Sequence, residues 1–496
     1  MIELPTEIWL KIASYIPDQE MARLCSLNRV FMNLALEKRY GVVDLSFMSE
    51  RALRLIDHLK NDSIADRVRT LRLSSQFVQG LILNEKSDLQ YSRSIRGRLS
   101  SFKSRLLPGK KPPKPRRPSY FGSQPRKSSN QIIADIDEVL CKLRNVKNFT
   151  TYWAFFPLDA YPHSRAWSTF GADLEMLRLV GTATLLPSLL QDVEWPERLS
   201  DLRIEMLGAP YIDGEPVEDT PAAQMDVLRC VSSFINKQHN LKSLAIEATW
   251  HADFSTLFSS LVRFPMLESL TLKLPFNRLH LPDPSGILHF MHEHAEQIKD
   301  FTLHFFTCGL PLPSHEEGAL NHGFQIFDQS LPNLTSLDLD LRSSCQPLDA
   351  DALLPKLGTA KLQSLRIEGL LMSYSNLRSL SAGFPVATSL RHLSLKIRTI
   401  DKSVFDLLSQ SFPRLHSLYL VVAGGLQINT HDQLDSELTA GGSDYSDWLL
   451  HDLTIAAMSC CCPNIQWNVM LIMARHIPSL QSFNGSGNLD VSSVPH

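Results

Sequence analysis

A short pattern, apolar-x-x-apolar-x-apolar, recurs along this 496-residue chain, and no other feature limits its fold so tightly. The clear copies are Val68-x-x-Leu71-x-Leu73, Leu174-x-x-Leu177-x-Leu179, Leu199-x-x-Leu202-x-Ile204, Leu241-x-x-Leu244-x-Ile246 and Leu267-x-x-Leu270-x-Leu272. Then come Ile298-x-x-Phe301-x-Leu303, Leu334-x-x-Leu337-x-Leu339, Leu362-x-x-Leu365-x-Ile367, Leu390-x-x-Leu393-x-Leu395 and Leu415-x-x-Leu418-x-Leu420. Weaker copies start at Val146 and Leu480. From Leu174 onward the clear copies follow one another at intervals of 25 to 42 residues. Alternation at the second and third apolar positions puts both on one side of a short strand. One such unit cannot bury its own apolar face, so copies must stack on one another. Helix-like stretches at 222–237 and 402–412 lie between copies.

The pattern resembles the leucine-rich repeat. The resemblance implies an α/β solenoid with parallel strands on its concave side and helices on its convex side. The family often carries Asn or Cys just past the last leucine-type position. Here Gln76, Thr182, Leu207, Thr249, Pro275, Phe306, Arg342, Leu370, Arg398 and Ala423 stand three residues past it. An irregular array with variable connections is therefore expected. Non-leucine strand positions face outward and form the candidate target-binding surface: Arg178, Arg203, Lys273, His304, Asp338, Asp340, Arg366, Glu368, Lys396 and Tyr419, with Ser243, Thr271, Thr302 and His392 beside them. Their charge is basic at 178–203, acidic at 338–340 and mixed beyond, which suits a charged macromolecule better than a small apolar ligand.

Residues 4–40 read as three short helices. Leu4, Ile8, Ile12 and Ile16 recur every four residues, a single amphipathic stripe. Pro5, Thr6 and Glu7 suit a first turn, and Pro17 ends the helix. Met21, Leu24 and Cys25 would point inward from a second helix, Phe31 and Leu34 from a third ending near Gly41. Leu4-Pro5-x-Glu7-Ile8, Ile12, Ile16, Leu24, Asn28-Arg29-x-Phe31 and Leu34 resemble the F-box, with Glu20-Met21 where that motif more often has Asp-Leu. The resemblance implies docking on the Skp adaptor, and through it on a cullin, by Leu4, Pro5, Ile8, Ile12, Tyr15, Ile16 and Leu24. The other reading of these helices is a cap on the end of the array.

Charge is unevenly placed. Residues 91–130 hold 12 basic side chains and no acidic one, along with six prolines and nine serines. The rest carries 37 basic against 52 acidic residues, a net of -15. Few apolar groups and many prolines predict a disordered insertion. The run at 110–117, KKPPKPRR, is open to three readings: a nuclear import signal, a positive tether or latch, or a passive loop. Ser119, Ser128 and Ser129 follow basic residues and are candidate phosphorylation sites. The domains expected are thus 1–41 (F-box), 42–90 (first strand region), 91–130 (insertion) and 131–490 (repeats). Glu3 and Glu7 in MIELPTEIWL argue against a signal peptide, and no apolar run is long enough to span a membrane. Eight cysteines without a paired framework fit a reducing cytoplasmic or nuclear compartment.

Catalytic motifs are missing. Cys460-Cys461-Cys462 lack the spacing of a zinc-binding RING. His289 and His292 share a helix face, while His294 points away from it. No phosphate-cradling or nucleophile-elbow glycine pattern occurs. The expectation is a non-enzymatic substrate receptor of a ubiquitin ligase, without cofactor or metal, binding an unidentified protein substrate and no membrane or nucleic acid. The alternative is a leucine-rich scaffold that never meets a ligase.

Overall fold

The computed structural model describes residues 5–82 (22 and 25 apart) and 127–487, less 155–162, 191–195, 209–210, 213–214, 217–219, 251, 276–280, 306–324, 329, 342–352, 359–360, 385–388, 424–429, 442–443, 458–462 and 484–485. The chain forms two compact units, Met1–Glu218 and Asp219–His496.

The first unit opens with α1 (Thr6–Ala13), α2 (Asp18–Met21) and α3 (Arg29–Tyr40). Then strands alternate with helices: β1 (Val42–Leu45), α4 (Glu50–Leu59), α5 (Asp62–Ala65), β2 (Thr70–Ser74), α6 (Ser129–Leu140) and β3 (Asn148–Trp153). After α7 (His163–Phe170), β4 (Met176–Thr182), α8 (Leu186–Leu190) and β5 (Asp201–Leu207), a small antiparallel hairpin follows, β6 (Tyr211–Ile212) with β7 (Glu215–Pro216). β1 to β5 pair in parallel, each with the next in the chain. Val43, Leu71, Phe149, Leu177 and Leu202 fall in one register row, and none is exposed.

Residues 127–130, read from sequence as the end of the basic insertion, belong to this framework. Ser128 caps α6 through a reciprocal bond with Gln131, Ser129 is buried, and Lys127 pairs with Asp57 and Asp135. Residues 91–126 lie outside the described residues, the import-signal candidate and Ser119 with them.

The second unit repeats the scheme. It runs through α9 (Pro221–Asn236), β8 (Ser243–Ala248), α10 (Ser255–Ser260), β9 (Ser269–Leu274), α11 (Ser285–His294), β10 (Asp300–Phe305), β11 (Ser336–Asp340) and β12 (Ser364–Met372). α12 (Tyr374–Ala382), β13 (His392–Ile397), α13 (Lys402–Ser411), β14 (Ser417–Val422), α14 (Thr430–Ala440), β15 (Asp452–Ala457), α15 (Pro463–His476), β16 (Ser482–Phe483) and β17 (Ser486–Gly487) complete it. β8 to β16 are parallel and pair in chain order, and only β17 turns back antiparallel. Leu244, Leu270, Phe301, Leu337, Leu365, Leu393, Leu418, Leu453 and Phe483 form one buried row. Burying such leucines stabilises by about 1.5–3 kcal/mol each, and here they can be buried only by a neighbouring repeat.

A backbone relay fixes the register. Within each unit, two successive N–H groups at the start of a described repeat donate to one carbonyl of the repeat before. Glu268 and Ser269 bond Lys242 O, Lys299 and Asp300 bond Glu268 O, and the series continues to Gln481 and Ser482 on His451 O. The first unit does the same from Gly41 O to Glu175 O. The pairing slips once. Between Ile367 and Leu371 of β12 a bulge forms around Gly369, whose φ of 82° disfavours any side chain, so that Leu371 rather than Glu368 faces Lys396.

Candidate functional site

Two surfaces stand out. The first is the N-terminal helix group. Ala13, Met21 and Phe31 form a small core against which Trp9, Ile16, Leu24, Leu34 and Ala35 pack. The Trp9 and Phe31 rings meet edge-on at 5.5 Å. Asn28 accepts from the Phe31 N–H at 2.9 Å and so starts α3. α3 is then tied to the first strands: Arg67 donates to the Asn33 carbonyl and side chain at 3.2 and 3.0 Å, and Tyr40 Oη meets His58 Nδ1 at 3.0 Å.

The expected single stripe on α1 is in fact two. Trp9, Ala13 and Ile16 face the local core, whereas Ile8 (46% exposed), Ile12 (38%) and Tyr15 (74%) face outward. Sequence reasoning missed Trp9 and Ala13 because both stripes have helical spacing. Pro5 is exposed too, Leu10, Leu27 and Met32 add apolar surface, and Ile16 and Leu24 are half-buried. Leu4 and Cys25 lie outside the described residues. An apolar surface of this kind on a small helical group is what a partner helix or groove would cover.

The second surface is the outward side of the strands. In the second unit Thr271, Thr302, Asp338, Arg366, Ser394 and Tyr419 share one register row, and Glu247, Lys273, His304, Asp340 and Glu368 the next. Opposite charges along these rows stand close together, while the buried His304 Nε2 and Asp338 Oδ1 make no hydrogen bond among the described residues. Lys273 Nζ lies 3.3 Å from Glu247, His304 Nε2 3.5 Å from Asp338, and Arg366 donates to Glu368 at 2.9 Å while standing 3.9 Å from Asp338. Tyr419 is open at 41% exposure. Asp340, expected on the accessible face, is only 5% exposed, placed between His304 and Glu368 of the neighbouring strands. Asp300, two residues before the first row, stands where Ser269 and Ser336 flank it, and burial beside Glu268 raises its carboxyl above the ordinary range.

In the first unit Arg178 and Arg203 sit directly opposite on β4 and β5, and Arg178 donates to Glu205 at 3.1 Å. Burial likewise raises the neighbouring Asp201 carboxyl, opposed by the Arg203 charge.

His294 is no metal ligand. Its Nε2 accepts from a backbone N–H, its Nδ1 bonds a carbonyl, and His289 is on the exposed side of the helix. Among the described residues no group of three or more His, Cys, Asp or Glu side chains could hold a metal, and no helix is long and apolar enough to cross a membrane.

No family model matches the chain, and no curated protein does. Among solved structures it is similar to a chain of the yeast Rad7 and Elc1 complex, at 12% identity over 84% of this chain and 86% of that one, with a TM-score of 0.37.

Proposed function

We propose that this protein is a non-catalytic substrate receptor of an Skp-cullin-F-box ubiquitin ligase. α1 to α3 dock the Skp adaptor, and the strand faces hold a target protein. The observation that carries the reading is the outward stripe of Ile8, Ile12 and Tyr15, which the helices' own core leaves unused, following directly on Leu4-Pro5-x-Glu7. Catalysis then means proximity: a lysine of the bound target is held near a charged ubiquitin-conjugating enzyme, which raises its effective concentration. The anchoring of α3 through Arg67, Asn33, Tyr40 and His58 favours a second role, capping the apolar end of the array, and the two are compatible.

The test is a pull-down of the full chain with purified Skp adaptor. Binding that is lost on Leu4→Ala/Pro5→Ala, with circular dichroism unchanged, supports the receptor. A folded chain that never retains the adaptor leaves a capped scaffold and removes ubiquitin from the account.

A further inference from the structure

The residue just before each strand lies along one edge of the strand face, and from Glu268 onward its N–H bonds the repeat before. In the second unit this row runs Lys242, Glu268, Lys299, Thr335, Gln363, Arg391, His416 and His451. Where the row begins its charges alternate, and Lys299 donates to Glu268 at 2.8 Å. Over β13 to β15 it changes character: Arg391, His416 and His451 follow one another with no carboxylate between them. The His416 and His451 rings meet edge-on at 5.1 Å. His416 Nδ1 donates to the Arg414 carbonyl at 2.7 Å, which leaves Nε2 for another partner. His392, Arg391 and Arg414 are exposed, and neither arginine has an ion-pair partner among the described residues. The neighbouring carboxylate, Asp452, is held by the hydroxyls of Ser417 and Ser482 at 3.4 and 2.5 Å.

We propose that this edge of β13 to β15 docks an acidic peptide segment, a short run of Asp and Glu side chains on a partner protein. The patch brings together three imidazoles and two guanidiniums without an ion-pair partner among the described residues, and guanidinium binds carboxylate in a forked, charge-assisted geometry. The patch spans three strands, about 10 Å at the spacing of a sheet. The rest of the chain outside 91–130 carries a net of -15, so an extended polyanion such as nucleic acid would be repelled beyond the patch while a short segment is not. The inference rests on the strand face being a binding surface, but not on adaptor docking.

The experiment is fluorescence anisotropy of a labelled Glu/Asp-rich peptide on the full chain in low salt. Residues 91–130 stay in every protein compared, so any binding there is a common background. Arg391→Ala/Arg414→Ala, exposed positions whose loss leaves the thermal midpoint in place, weakens binding about tenfold or more. The proposal is overturned if the arginine variant binds as the parent does, or if Lys242→Ala/Lys299→Ala weakens it equally. None of these changes touches α1 to α3, so the adaptor pull-down reads the other half of the function independently.

Discussion

His294 is joined to Phe264 across two repeats: its Nε2 accepts the Phe264 backbone N–H at 2.8 Å while its Nδ1 donates to the Phe290 carbonyl at 2.7 Å. The ring is fully buried and lies against the Phe290 and Phe264 rings. Both nitrogens are thus committed to one neutral tautomer, which joins the end of α11 to the entry of β9.

Burial holds this imidazole below the usual histidine range, only partly offset by the bond to the Phe290 carbonyl. A histidine depressed in the folded state contributes stability that is present above the unfolded value of about 6.5 and is lost as pH falls through the folded one. Protonation would also place a donor against the Phe264 N–H. The chain should therefore lose thermal stability below about pH 6.5, and His294→Gln, less stable at neutral pH, should show a flatter profile there. Unfolding midpoints of both proteins from about pH 7.5 to 5 check this.

Asp300 gives the opposite sign. Its carboxyl is raised, chiefly by burial, so the folded state resists its ionisation. The resulting destabilisation is absent below the unfolded value near 3.9 and fully present above the folded one. Asp300→Ser, matching Ser269 and Ser336 beside it, should raise the midpoint at neutral pH and lose that advantage in acid.

The two stripes of α1 should separate by mutation. Trp9→Ala removes the ring that packs on Phe31 and should cost about 2–4 kcal/mol locally, seen as faster hydrogen exchange in α3. Tyr15→Ser, at an exposed position, should stay within about 0.5 kcal/mol of the parent while weakening adaptor retention.

Gly286 tests how closely the connecting helices approach. A Cβ there would meet the Ser259 backbone nitrogen at 2.6 Å. Replacing a helical glycine by alanine ordinarily gains up to about 1 kcal/mol. Here α10 and α11 would have to part, so Gly286→Ala should destabilise by about 1–3 kcal/mol, read from denaturant midpoints.

The repeat pattern located most of the strands, because buried alternation leaves a mark that any stacked parallel sheet shares. The weak copy at Val146 is β3, obscured because Thr151 takes the last apolar position in a fully buried place. Two more strands fit the pattern yet were not recognised: Leu450-x-x-Leu453-x-Ile455 in β15, and Tyr40-x-x-Val43-x-Leu45 in β1, where an aromatic opens the motif. The bulge at Gly369 and the burial of Asp340 left no such mark, since both depend on what adjacent strands do. The division of α1 into two apolar faces was equally hidden, because Ile8 and Trp9 satisfy the same period on different sides.

The doubled acceptor carbonyls have a consequence for how this chain can change over generations. Within each unit successive described repeats share the same socket, built from main-chain atoms that no exchange of one ordinary side chain for another alters. A duplicated or deleted repeat would therefore find a matching neighbour at once. The stretch from Leu199 to Leu241, 42 residues against 25 for its predecessor, costs only the slowly growing entropy of a longer loop. Proline is the one residue the socket refuses, because both incoming N–H groups are used. The chain is thus free to lengthen and diversify almost anywhere except at two positions per repeat.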